Sequence, residues 1–199
     1  VGDIIGAAKS VLMYFGLAFF LIMLFTFFYV RSGIITTYVL LSAVVPVIWL
    51  LGIMPIVELG LDPLSILVPF LIFAIAVSHA VQMTNAWKLE MTYANDSTLS
   101  AAKSFEKLFV PGSIALIANA IGFMVIAFVD ITVVREMAFV ATLGVSLMII
   151  SNKILLPILL SYCPSNIKFS QSLNASAPLE AIWIKPVSYT HLRAHETYP

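Results

Sequence analysis

Five apolar runs dominate this chain, each near or beyond the ~20 residues that a helix needs to cross a hydrocarbon core of ~30 Å. They extend approximately over Val11–Val30, Ile34–Ile53, Leu64–Trp87, Pro111–Val129 and Val133–Tyr162. The expected architecture is all-α: a polytopic membrane helix bundle with five transmembrane helices. Composition agrees, at 61% hydrophobic and 10% charged residues with a mean hydropathy of +1.06, far above the range of soluble domains. Ten Lys and Arg balance ten Asp and Glu, so no basic surface points to nucleic acid. A single cysteine, Cys163, excludes an internal disulfide and a Cys-based metal cluster.

Between the spans the sequence assigns smaller tasks. Residues 1–10, "VGDIIGAAKS", form an amphipathic lead-in, and an opening Val without a signal peptide suggests an internal fragment. Lys and Arg set the orientation. If the first span runs inward, the inner segments carry Arg31, Lys88, Lys103, Lys107, Lys168 and Lys185, and the outer ones only Lys9 and Arg135, as the positive-inside rule requires. Segment 95–109 then becomes a cytoplasmic amphipathic helix, with Leu99, Ala102, Phe105, Leu108 and Phe109 on one face and Lys103, Glu106 and Lys107 on the other. Pro111 suits the first turn of the fourth span, where its missing N–H costs nothing. The "DITVVRE" hinge places Asp130, Arg135 and Glu136 at the interface as a solvated pair or cap. Lys153, inside the fifth span, is expected to snorkel toward the cytoplasmic headgroups.

Residues 163–186 read as a cytoplasmic linker by their Pro, Ser and Asn content. In residues 187–199, the stretch "VSYTHLRAHET" matches one reading frame of a transposase adapter used in sequencing libraries. This tail is expected to be foreign to the fold. It contains His191 and His195, which with no third ligand make no metal site.

One polar stripe interrupts the third run, at "IFAIAVSHAVQMTNAW". At ~100° per residue, Ser78, Gln82 and Asn85 fall within about 60° of arc, and His79 lies about 60° beyond Gln82. An ionisable group within hydrocarbon is costly unless it faces other helices or a wet cavity, which makes His79 a functional candidate. Its ordinary pKa of about 6.5 lets it exchange a proton in the physiological range. The alternative is structural, a neutral imidazole hydrogen-bonded across helices as glue. In the fourth span, Ala115, Ala118 and Gly122 form a small-residue seam suited to close helix approach, with Asn119 beside it as the expected orienting partner of His79. Ala141 and Gly144 offer a similar seam in the fifth.

The stretches "PFLIFAIAVSHAVQMTNAW" and "LFVPGSIALIANAIGFMVIAFVDITVVREMAFVATLGVSLMIISNKILLPILLSY" resemble the resistance-nodulation-division (RND) superfamily, nearest the MMPL-like exporters of hydrophobic and amphiphilic molecules. The resemblance covers about residues 1–165 and implies that 11–162 correspond to helices two to six of one six-helix half. It further implies a second half of the same transporter as partner, membrane lipids around it, a hydrophobic or amphiphilic substrate, a bacterial cytoplasmic (inner) membrane location, and export driven by protons. Where the family commonly carries an Asp on its fourth helix, this sequence has Ser78 followed by His79. Either His79 takes the protonatable role, with Ser78, Gln82, Asn85 and Asn119 as relay candidates, or this half is silent. No enzyme activity, cofactor or metal is expected. A sterol-sensing-like sensor or scaffold on the same helices is the competing function, with His79 then structural.

Overall fold

The computed structural model describes residues 2–58 and 65–164, with side chains described from residue 13 onward; the expectations for the lead-in side chains, most of the linker and the 187–199 tail lie outside the described residues. The chain through Cys163 forms one helical unit. Its order is α1 (Gly2–Val30), α2 (Gly33–Ile53), a 3-10 turn (Ser65–Leu67), α3 (Val68–Ala94), α4 (Ser97–Ile126), α5 (Thr132–Ile150), a π turn (Ser151–Leu155) and α6 (Leu156–Ser161). Five spans have the length and apolarity to cross a membrane, the last being α5, the π turn and α6 read as one helix over Thr132–Ser161. Among the described residues there is no strand.

The connections are short because each helix end is closed locally. Arg31 takes a left-handed backbone, φ 56°, while its N–H still reaches the carbonyl of Phe27 at 2.8 Å; the chain reverses there in two residues. Asn95 ends α3 the same way at φ 49°, a conformation that Asn tolerates better than most residues. Asp96 then caps α4, its Oδ1 accepting from the N–H of Leu99 at 2.7 Å. Such tight turns leave successive helices antiparallel and gather one set of ends. There the Lys88 ammonium donates to the Val30 carbonyl at 2.8 Å, the Trp87 indole N–H to that of Ser97 at 3.1 Å, and the Ser97 hydroxyl to that of Leu160 at 2.8 Å. Glu90, buried beside them, pairs with Lys107. At the opposite end, Arg135 meets Asp130 at 3.0 Å across the expected hinge.

α5 occupies the middle, packed against α2, α3 and α4. Ala138, Val140, Ala141, Gly144, Val145 and Met148 are all buried, and the small pair lets α5 approach closely. A Cβ placed on Gly144 would lie 2.6 Å from Cγ1 of Ile72 and 3.1 Å from Cδ2 of Leu50. Much of α1 and α4 instead turns large apolar side chains outward, among them Phe25, Phe28, Ile114, Ile121 and Val125. For a soluble protein this would be an aggregating surface; for membrane spans it is the lipid-facing one.

Two expectations about α4 change. Residues 95–109 do not form a separate helix: Ser97–Ile126 is one continuous helix of 30 residues with Pro111 inside it rather than at its start. At 1.5 Å per residue it measures about 45 Å, some 15 Å more than the hydrocarbon, so its first turns reach past the apolar slab. Leu99, Ala102 and Phe109 do face outward, while Ser100, Ala101 and Ser104 pack inward. The small-residue seam is the second correction. Ala115, Ala118 and Gly122 are exposed, with nothing within 4 Å of a Cβ on Gly122; the packed positions are Gly112 and Leu116. Helical phase explains most of it, because Gly112 and Leu116 are one turn apart and about 120° round the helix from Ala118 and Gly122.

Gly144→Val should lower stability by about 1–3 kcal/mol, the range for overpacking a tight core, whereas Gly122→Ala should leave it unchanged; thermal unfolding of the detergent-solubilised protein separates the two. Burial also pushes the Cys163 thiol pKa up, which keeps it in the unreactive protonated form. Alkylation of the folded protein should therefore be slow at pH 8, rise only above the ordinary thiol range, and become fast at pH 8 once the protein is unfolded.

Candidate functional site

The polar centre of the bundle lies where three prolines meet one π turn. A proline inside a helix lacks the N–H that would bond the carbonyl four residues before it. In lipid that carbonyl must find another donor. Pro46, inside α2, leaves the Ser42 carbonyl open, and the Ser151 hydroxyl donates to it. Pro111, inside α4, leaves the Lys107 carbonyl open, and the Lys153 ammonium donates to the adjacent Leu108 carbonyl at 3.1 Å. Between them, the Asn152 amide N–H donates to the Ala76 carbonyl of α3 at 3.2 Å. Pro157, two residues after the π turn, is itself in the first turn of α6, where regular bonding is already interrupted.

Three consecutive residues, Ser151, Asn152 and Lys153, thus reach three different helices. In a helix, neighbours point about 100° apart, so a consecutive triplet fans around most of one side. This works only for a helix enclosed on that side, which the last span is. All three are buried, Lys153 at 4% exposure. Such π turns are rare and concentrate at functional positions.

Lys153 therefore does not snorkel. Its ammonium lies over Gly112, where a Cβ would collide with Nζ and come within 2.9 Å of Cε. The absence of a side chain at Gly112 is what lets a lysine pass between the last span and α4. No carboxylate pairs with Lys153 among the described residues.

His79 stands next to this centre, half-buried on α3 and one turn beyond Ala76, the residue Asn152 holds. Its charge and that of Lys153 lie close enough to interact directly. The imidazole Nδ1 is buried without a hydrogen-bond partner, and so is the Asn152 carbonyl oxygen Oδ1. Two orphaned polar atoms at the core of an apolar bundle, beside a buried cation, form the strongest chemical feature of the molecule.

The expected relay divides. On α3 the buried face centres on Ala76, Ala80 and Met83; His79 lies about 60° from that centre and Gln82 about 120°, with Ser78 and Asn85 farther round. Ser78 and Gln82 accordingly face outward. Asn85 turns to α1, its amide donating to the Tyr29 hydroxyl at 2.8 Å. Asn119 is exposed on α4 although it lies two turns beyond the packed Gly112 on the same face, and it makes no hydrogen bond to His79, whose Nδ1 is without a partner. The buried asparagine that does bond to α3 is Asn152, on the Ala76 carbonyl. One signal for it was available: the run "SNK" immediately before an Ile-Leu-Leu-Pro stretch in an otherwise apolar span. Among the described residues no group of His, Cys, Asp and Glu could hold a metal ion.

The fold and this site define a class, the polytopic helical bundle with five membrane-length spans, a buried Asn152 and Lys153, and a half-buried His79. The chain matches no known family model, no curated protein and no solved structure.

The Gly112–Lys153 contact can be tested by a double-mutant cycle. Gly112→Ala should destabilise the protein by dislodging Nζ from Leu108, yet cost much less in a Lys153→Ala background. The expected coupling is about 0.5–3 kcal/mol, read from unfolding of the four variants in detergent.

Proposed function

We propose that the protein is part of a proton-driven exporter of the RND superfamily, in the bacterial cytoplasmic membrane, that moves hydrophobic or amphiphilic molecules. The sequence resemblance suggests it. The single observation that carries it is the unpartnered Nδ1 of His79 beside Asn152 and Lys153 in a span-buried centre. A merely structural histidine would be expected to have both ring nitrogens satisfied. An imidazole with a free nitrogen in apolar surroundings is instead a group whose proton affinity changes with any rearrangement of its neighbours.

In this reading protonation of His79 adds a second positive charge next to Lys153. Repulsion at low dielectric then favours whichever arrangement moves the two apart or gives the imidazolium an acceptor. The Asn152 Oδ1, already free, is a neutral acceptor available in the centre. The π turn supplies the hinge, because shifting it by one residue rotates Ser151, Asn152 and Lys153 against α2, α3 and α4 together. Coupling needs only that two arrangements differ in stability between the two protonation states. The outward polar stripe of Ser78 and Gln82 favours a protein neighbour on that face of α3 over lipid, consistent with a second transporter half as partner.

Replacing His79 with Phe in the intact protein should abolish proton-gradient-dependent export while leaving membrane insertion and thermal stability close to those of the wild type. Transport that persists undiminished removes His79 from the coupling. Activity indifferent to an uncoupler in the wild-type protein would instead favour the sensor or scaffold.

A further inference from the structure

A groove of about 330 Å³ runs between the first turns of α4 and the end of the last span. Ala102 and Phe105 line one side, Ile154, Pro157 and Ile158 the other, and Lys153 is the only charged residue in its lining. Ala102, Ile154 and Ile158 are exposed, so the groove opens sideways, at the level where α4 leaves the apolar slab.

The geometry points to this groove as a binding site for a single-chain hydrophobic carboxylic acid, its carboxylate on Lys153 and its alkyl chain between Phe105 and Ile158. Three observations converge on that chemistry. The first is the unbalanced cation. Lys153 is more than nine-tenths buried and donates to one neutral carbonyl, Leu108, although an ammonium carries three donors. A buried charge is costly unless paired, and no carboxylate among the described residues pairs with this one. The second is composition: apart from Lys153 and the hydroxyls of Thr98 and Ser161 the lining is apolar, so an anion alone would be poorly held there and a neutral hydrocarbon would leave the ammonium unanswered. Size is the third. At the lower end of the ~300–1,000 Å³ typical of small-molecule sites, the groove has room for one chain and not for a two-chained lipid.

An acid reaches such a site from the bilayer more readily than from water. Its protonated form partitions into lipid, and on arrival the proton leaves to the medium while the carboxylate forms the ion pair. No bond other than O–H is broken. The site shares Lys153 with the proposed transport centre but is separate in its test, since binding is measured without transport; its failure would leave the proton-coupling reading of His79 standing.

The experiment measures thermal unfolding of the purified protein in a non-ionic detergent with three probes of equal chain length: dodecanoate, its methyl ester and dodecyltrimethylammonium. Dodecanoate should raise the midpoint in a saturable way and the other two should not. Lys153→Met should remove the dodecanoate shift, and so should Ala102→Trp, which fills the groove from an exposed position and leaves the lysine in place. An equal shift with the methyl ester, no shift with dodecanoate, or an undiminished shift in Ala102→Trp would overturn the assignment. Should Lys153→Met be too unstable to purify, Ala102→Trp decides alone.

Discussion

The bundle depends on one constraint: a backbone carbonyl released inside an apolar slab must be answered by a donor from somewhere else. Pro46 and Pro111 break regular bonding in α2 and α4, and in hydrocarbon there is no water to make good the loss. The last span answers the first with Ser151 on the Ser42 carbonyl, and places Lys153 on the Leu108 carbonyl, next to the one that Pro111 releases. It does so at its π turn, which widens the helix and spreads three consecutive polar side chains over three neighbours. Disturbing any one of these bonds would leave a polar group unsatisfied at low dielectric, which is where such losses are largest.

The same arrangement explains why the chemistry gathers where it does. A lysine could not be accommodated between helices without the notch at Gly112, and an asparagine could not reach α3 without the close approach that Ala141 and Gly144 allow α5. Packing and reactivity are therefore linked. The glycines are small so that the polar residues can sit deep, and those residues in turn complete the backbone bonding of the helices that surround them. His79 and Asn152 keep one free polar atom each, an incompleteness that a structure selected only for stability would be expected to remove.

How much of this was legible beforehand varies by element. The spans were, because ~20 apolar residues have few other fates, and so was the hinge pair of Asp130 and Arg135. The break expected at Pro111 was not, since a membrane helix tolerates an internal proline when a neighbour supplies the donor, and no local pattern announces that neighbour. The seam of Ala115, Ala118 and Gly122 had the right residue types on the wrong side of α4. Small residues at helical spacing permit close packing but do not say which helix will come. For Lys153 the general rule of snorkelling failed against a particular void.

By itself the sequence determined the number and approximate extent of the spans and the presence of two ionisable groups, His79 and Lys153, deep within them. These follow from hydrophobic length and from the cost of charge in lipid, both local properties of the chain. Which polar residues become neighbours was decided only by tertiary structure. Facing direction depends on the phase of each helix and on the fit of its partners. That is why Asn152 and Lys153 are buried between helices, on the carbonyls of Ala76 and Leu108, while Asn119 stays exposed.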